Sequence, residues 1–90
     1  MIDINHFRKT PIDRLKNLKD GDKIELLTYK KDRKVTLIKT GDQSCTVVEE
    51  GFDIRTFINV EKTKLSKLLK QLQQSEFPRS KKFFMRIISV

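Results

Sequence analysis

Lys64, Lys67 and Lys70 recur every third residue, and Arg79, Lys81, Lys82 and Arg86 follow within one connection and strand. Fixed cations along such a path are what a phosphate backbone requires, because each neutralised phosphate releases condensed counterions. A second cluster, Lys30, Lys31, Arg33 and Lys34, falls between two strand-like runs, where a hairpin tip could reach a groove or track a backbone. Tyr29, Phe83 and Phe84 adjoin these basic runs and could stack on unpaired bases, although core packing is the plainer role for Phe83 and Phe84. The candidate nucleic-acid-binding residues are therefore Lys30, Lys31, Arg33, Lys34, Lys64, Lys67, Lys70, Arg79, Lys81 and Lys82.

Other chemistry has little to draw on. His6 is the only histidine, and a nucleophilic triad would have to recruit Cys45 or a serine across the fold with no local signature. Cys45, the only cysteine, sits in Cys45-Thr46-Val47-Val48, where it reads as a small core hydrophobe. One Cys and one His do not make a usual zinc site, and neither a calcium loop nor a His-Glu-x-x-His motif is present. The three glycines, at 21, 41 and 51, are too far apart for a glycine-rich phosphate loop. Glu49 and Glu50 are neighbours on a strand and point to opposite faces, so they are expected to be solvent groups at a strand end. Arg79-Ser80-Lys81-Lys82-Phe83-Phe84 lacks the glycine and the aromatic spacing of the RNA recognition motif. The expectation is a protein that is not an enzyme, with no cofactor and no metal.

The net charge of +8 is unevenly spread along the 90 residues. Residues 1–40 hold eleven Lys or Arg against six acids, residues 41–61 one against five, and residues 62–90 eight against one. An acidic middle between basic flanks can fold into a molecule with one positive face, which raises the local concentration of polyanions. Nucleic acid or an acidic protein surface is the expected partner. Length and a 37% hydrophobic content suit a single domain over residues 1–90. A lone cysteine and the lack of a leader-like N-terminus point to a reducing, cytoplasmic setting. No membrane association is expected, since the longest apolar run, within residues 83–88, is broken by Arg86.

The elements that must position these residues can be read from periodicity and punctuation. Thr10-Pro11 reads as a cap followed by proline at the first helical position, opening a helix over about residues 11–19 that Asp20-Gly21-Asp22 ends. Clustered β-branched and aromatic residues place strands near 23–29, 33–40, 44–50 and 52–60, joined by short antiparallel connections. In the last of these, Phe52, Ile54, Ile58 and Val60 share one parity and are expected to be the buried face, with Phe57 the exception. Leu65, Leu68, Leu69 and Leu72 form one helical stripe over about residues 61–75, with Lys67 and Lys70 turned away from it and Lys64 on its flank. Pro78 stops that helix, and residues 82–90 read as a final strand that is either central or covered by a partner, since both its faces are apolar. Residues 1–9 could form an edge strand or an arm.

The expected fold is α+β: a short N-terminal helix, a four-stranded mostly antiparallel sheet, an amphipathic helix packed on the sheet and a C-terminal strand. The expected function is a small basic module for RNA or single-stranded DNA, making phosphate contacts from the lysine-rich helix face and the hairpin tip. The alternative is a non-enzymatic interaction subunit, a homodimer among its options, that uses an exposed sheet edge or the C-terminal strand.

Overall fold

A computed structural model describes residues 1–89. In chain order its elements are β1 (Ile2–Asp3), α1 (Lys9–Leu15), β2 (Lys23–Leu27), β3 (Lys34–Gly41), β4 (Ser44–Glu50), β5 (Ile54–Glu61), α2 (Lys62–Glu76) and β6 (Lys82–Ile88), with a 3-10 turn at Ile4–His6. The class is α+β as expected, but the sheet differs. Among the described residues it has six strands, in the order β1-β6-β2-β3-β4-β5, and every neighbouring pair is antiparallel. The final strand, expected to be either central or covered by a partner, lies inside the sheet between β1 and β2, which raises the expected four strands to six. Its residues pair with the edge of β2 that the β2–β5 meander leaves open, from Phe84 against Leu27 to Ile88 against Lys23. That pairing satisfies a row of backbone groups that would otherwise lie bare. Ile2 and Asp3 then add a short edge strand beside Phe83 and Lys82. Val90, the last residue of the expected strand, lies outside the described residues.

Helix α1 starts two residues before the sequence signal suggests, with Arg8 as a cap that makes no side-chain bond. Pro11 therefore occupies the third helical position. This is still within the first turn, where backbone N–H groups have no intrahelical acceptor and a missing one costs little. The helix ends early, at Leu15, because Asn17 and Leu18 donate to carbonyls three residues back and tighten the chain into turns. Gly21 follows with φ of 92°, and its N–H donates to the Lys39 carbonyl at 2.7 Å, tying the turn to β3.

Both helices cover one face of the sheet. Ile24, Leu26, Val35, Leu37, Cys45 and Val47 meet Leu65, Leu69 and Leu72 of α2 and Leu15 of α1 in one buried cluster. Phe7, Phe77 and Phe83 close one end of it, with ring centroids 4.7 Å apart for Phe7–Phe77 and 5.2 Å for Phe7–Phe83. Among the described residues the opposite face carries no helix.

Strand β5 reverses its expected parity. Phe52, Ile54 and Ile58 are 76%, 83% and 74% exposed, while Phe57, the apparent exception, packs against the core beside Val47. Asn59 has φ of 53°, and the register slips between the Cys45–Val60 and Val47–Phe57 pairs. This is a bulge, which inserts one residue and carries Val60 back to the core side. Alternation read through a bulge assigns one half of the strand to the wrong face.

Candidate nucleic-acid interface

Strand directions decide which loops meet. From β2 the chain runs up and down the sheet, and α2 returns along it before β6 descends antiparallel to β2. The β2–β3 loop (residues 28–33), the β4–β5 turn (residues 51–53) and the α2–β6 connection (residues 77–81) therefore gather at one end of the sheet. An open cleft of about 770 Å³ lies there, and Tyr29, Lys30, Arg33, Arg79, Lys81 and Lys82 line it together with Asp32 and Glu76. Cations from loops some fifty residues apart in sequence thus share one concavity. Among the described residues Lys30, Arg79, Lys81 and Lys82 make no ion pair within 4.0 Å, although Lys30 lies near enough to Asp32 to help lower that carboxyl's pKa.

The loop that presents Lys30 is tightly built. Thr28 Oγ1 donates to Asp32 Oδ1 at 2.6 Å, Thr28 N donates to the Arg33 carbonyl, and Lys31 N donates to the Thr28 carbonyl. Lys31 sits at φ of 59°, a left-handed conformation uncommon for a residue with a Cβ. The opposite wall is held by Ser80 N donating to the Phe77 carbonyl and by Ile4 N donating to the Lys81 carbonyl at 2.8 Å.

Arg33 joins the two walls and has little freedom to meet a partner. Its Nη1 donates to the Glu76 carbonyl oxygen at 3.2 Å and its Nε lies 3.9 Å from Glu76 Oε1. Lys34 is likewise committed, at 3.2 Å from Glu25 Oε2 and 3.9 Å from Glu50 Oε1 on the helix-free face. Arg86 completes that network with 2.7 and 3.1 Å bonds to Glu25 Oε1. Burial opposes ionisation of Glu25, but Lys34 and Arg86 outweigh it and hold the carboxyl below its usual range. Lys31 lies with its Nζ 5.1 Å above the Phe84 ring.

Lys64, Lys67 and Lys70 are exposed on α2 as expected, but none of them lines the cleft. At 1.5 Å per residue they precede Glu76, the cleft's edge, by about 18, 14 and 9 Å along the axis. The basic residues thus divide between the cleft and a separate strip on the helix layer. Of the aromatics, Phe83 is fully buried core, whereas Tyr29 and Phe84 stack on each other with centroids 6.2 Å apart.

Two carboxylates behind the cleft differ from what the sequence suggested. Glu49, expected in solvent, is 0% exposed, and so is the Glu76 side chain. Glu76 Oε1 accepts from Phe52 N at 2.7 Å and Oε2 from Asp53 N at 3.1 Å. Glu49 Oε1 accepts from Arg55 Nε at 2.8 Å, while its Oε2 has no partner within ordinary hydrogen-bond distance. Burial, then the neighbouring Glu76, pushes the Glu49 pKa up despite Arg55. Burial also works against Glu76, but hydrogen bonding with Glu49, the two amides and the charge of Arg33 together lower its pKa. Of the two, Glu49 has the surroundings that favour the protonated form and Glu76 those that favour the carboxylate. A Cβ on Gly51 would collide with Glu76 Oε1 and come within 2.8 Å of its Cδ, which is why the turn closing on this carboxylate carries glycine.

A signal for both acids was present. Glu49 shares parity with Cys45 and Val47, and Glu76 continues the 65, 69, 72 stripe of α2. Neither carboxylate is open to a substrate. Burial pushes the Cys45 thiol up to about 11, which keeps it protonated and unreactive. Among the described residues no helix is long and apolar enough to cross a membrane. No protein-family model, curated protein or solved structure matches this chain, so its function must be read from the geometry above.

Proposed function

We propose that this protein is a small nucleic-acid-binding module for RNA or single-stranded DNA that takes phosphates in the cleft between the β2–β3 loop and the α2–β6 connection. The observation that carries this reading is the convergence of Lys30, Arg79, Lys81 and Lys82, none of them in a close ion pair among the described residues, around one open concavity. Arg33 and Lys34 serve the reading indirectly, by bracing the loop. Lys64, Lys67 and Lys70 add a second cationic strip that strengthens attraction at a distance and is screened by salt.

Fluorescence anisotropy with short RNA, single-stranded DNA and duplex DNA over a salt series tests this. Four phosphates engaged by the four cleft cations give a slope of about −3 in log K against log salt, or about fiftyfold weakening between about 50 and 200 mM. Replacing Lys81 and Lys82 together by Gln should halve the slope. Absence of binding to all three at low salt would sink the proposal.

A second reading, an interaction subunit that acts through a sheet edge, has one observation in its favour. β1 covers β6 only at Lys82 and Phe83, so among the described residues the outer edge of residues 84–88 has no neighbouring strand. A strictly monomeric protein in light scattering, together with failure to recover any bound protein, would count against it.

A further inference from the structure

We infer that Tyr29 is a base-stacking residue and that the ring pair Tyr29–Phe84 makes the cleft selective for single strands over duplexes; this rests on the nucleic-acid reading above and names its substrate class. Tyr29 follows Thr28 just past the end of β2 and is 69% exposed, so most of its ring is accessible to a ligand. One side of the ring is backed by Phe84 at a 24° interplanar angle, and Phe84 is capped in turn by Lys31. Because Phe84 is fixed within β6 opposite Leu27, the tyrosine has a firm support and little orientational freedom to lose on binding. Its other side is open, and Tyr29 itself lines the cationic cleft. A planar ring beside unpaired lysines offers both contacts that an unpaired nucleotide needs, a surface for the base and charge for the phosphate.

Duplexes cannot use this arrangement. Their bases are stacked on one another and show only edges in the grooves, so meeting Tyr29 face to face would require unstacking. Unpaired bases of either RNA or DNA present that face freely, and each has one, so the contact tolerates sequence.

The chain contains one tyrosine and no tryptophan, so its tyrosine emission comes from Tyr29 alone. Titration with an oligonucleotide of about a dozen residues, an abasic phosphodiester strand of equal length and the matching duplex gives a direct readout. The base-bearing single strand should quench the tyrosine emission, while the abasic strand binds through charge without quenching and the duplex binds more weakly. Tyr29→Ala should weaken single-strand binding about five- to a hundredfold and leave abasic-strand binding unchanged, and Tyr29→Phe should retain most of the affinity. Single-strand binding with unchanged emission, unaltered by Tyr29→Ala yet still weakened by Lys81→Gln with Lys82→Gln, would overturn this inference and leave the cleft reading standing. Equal affinity for single strand and duplex would also overturn it. If the wild-type protein binds none of the three, both the inference and the reading beneath it fall.

Discussion

Glu76→Gln and Glu49→Gln make the same substitution at neighbouring buried positions, and the opposite surroundings of the two carboxyls lead to opposite expected outcomes. In Glu76→Gln, one carboxylate oxygen becomes an amide NH2. Either Phe52 N or Asp53 N, now 2.7 and 3.1 Å from an acceptor, is then left facing a donor, and Arg33 loses its counter-charge. Losing one hydrogen bond to a charged acceptor costs about 1.5–3 kcal/mol, and breaking a buried ion pair outright about 3–5. Since Arg33 is partly exposed and keeps its bond to the Glu76 main-chain carbonyl, a loss of about 2–3 kcal/mol is expected. Against a stability of roughly 5–13 kcal/mol for a chain of this length, that is a large fraction, equivalent to about 10–20 °C in Tm.

Glu49→Gln should be nearly neutral, because Gln resembles the protonated carboxyl that this site favours and its Oε1 still accepts from Arg55. The pH dependence separates the two further. Glu76, lowered from the ordinary 4.5, contributes stability that is present above that value and lost as pH falls through its folded pKa. Glu49, raised from 4.5, contributes stability that is full below that value and lost as pH rises through its folded pKa. The Glu76→Gln deficit should therefore shrink in acid, whereas Glu49→Gln should match the wild type in acid and equal or exceed it near neutrality. Urea unfolding followed by far-UV circular dichroism, near neutral pH and again below about pH 4, measures both. A Glu49→Gln loss as large as that of Glu76→Gln, or a Glu76→Gln loss under about 0.5 kcal/mol, would refute the opposite preferences of the two carboxyls and the turn-anchoring role of Glu76.

Three other outcomes follow from burial and charge placement. Lys67→Glu with Lys70→Glu should leave thermal stability within about 0.5 kcal/mol of wild type, since both side chains are solvent-facing, and should weaken oligonucleotide binding less than Lys81→Gln with Lys82→Gln in the same anisotropy assay. Leu69→Ala, at a fully buried position, should cost about 2–5 kcal/mol in urea unfolding, and Leu68→Ala distinctly less because Leu68 is only half-buried. Cys45, buried and with its thiol pushed up to about 11, should resist a thiol-specific reagent at neutral pH until denaturant unfolds the chain; rapid labelling of the folded protein would contradict the placement of β4 in the core.

Local pattern was sufficient for most elements. The leucine spacing and Pro78 placed α2 within a residue of its observed Lys62–Glu76 span, and β-branched runs placed β4 at Ser44–Glu50. Exposure of Lys64, Lys67 and Lys70 followed from the same stripe. These are properties of one segment, set by a helix or strand period that needs no knowledge of a neighbour. Asn59 shows where that ends. Its bulge turned Ile54 and Ile58 outward and Phe57 inward, because the face a strand buries depends on its register with β4 and not on its own alternation.

Charge pairing was even less legible. Arg33 and Lys34 read as free cations in a basic run, yet they are held by Glu76, forty-three residues away, and by Glu25 and Glu50. Which cations stay free was decided by strand order. With β6 paired to β2, Arg86 lies opposite Glu25 and Phe84 comes to Tyr29, and Lys81 and Lys82 are brought to the same end of the sheet as Lys30. The amino-acid sequence by itself determined an excess of positive charge, the apolar stripe of α2 and the short strands around it. Only the tertiary structure decided that four of those charges share a cleft beside an open tyrosine ring, because backbone pairing between segments distant in sequence sets which loops meet.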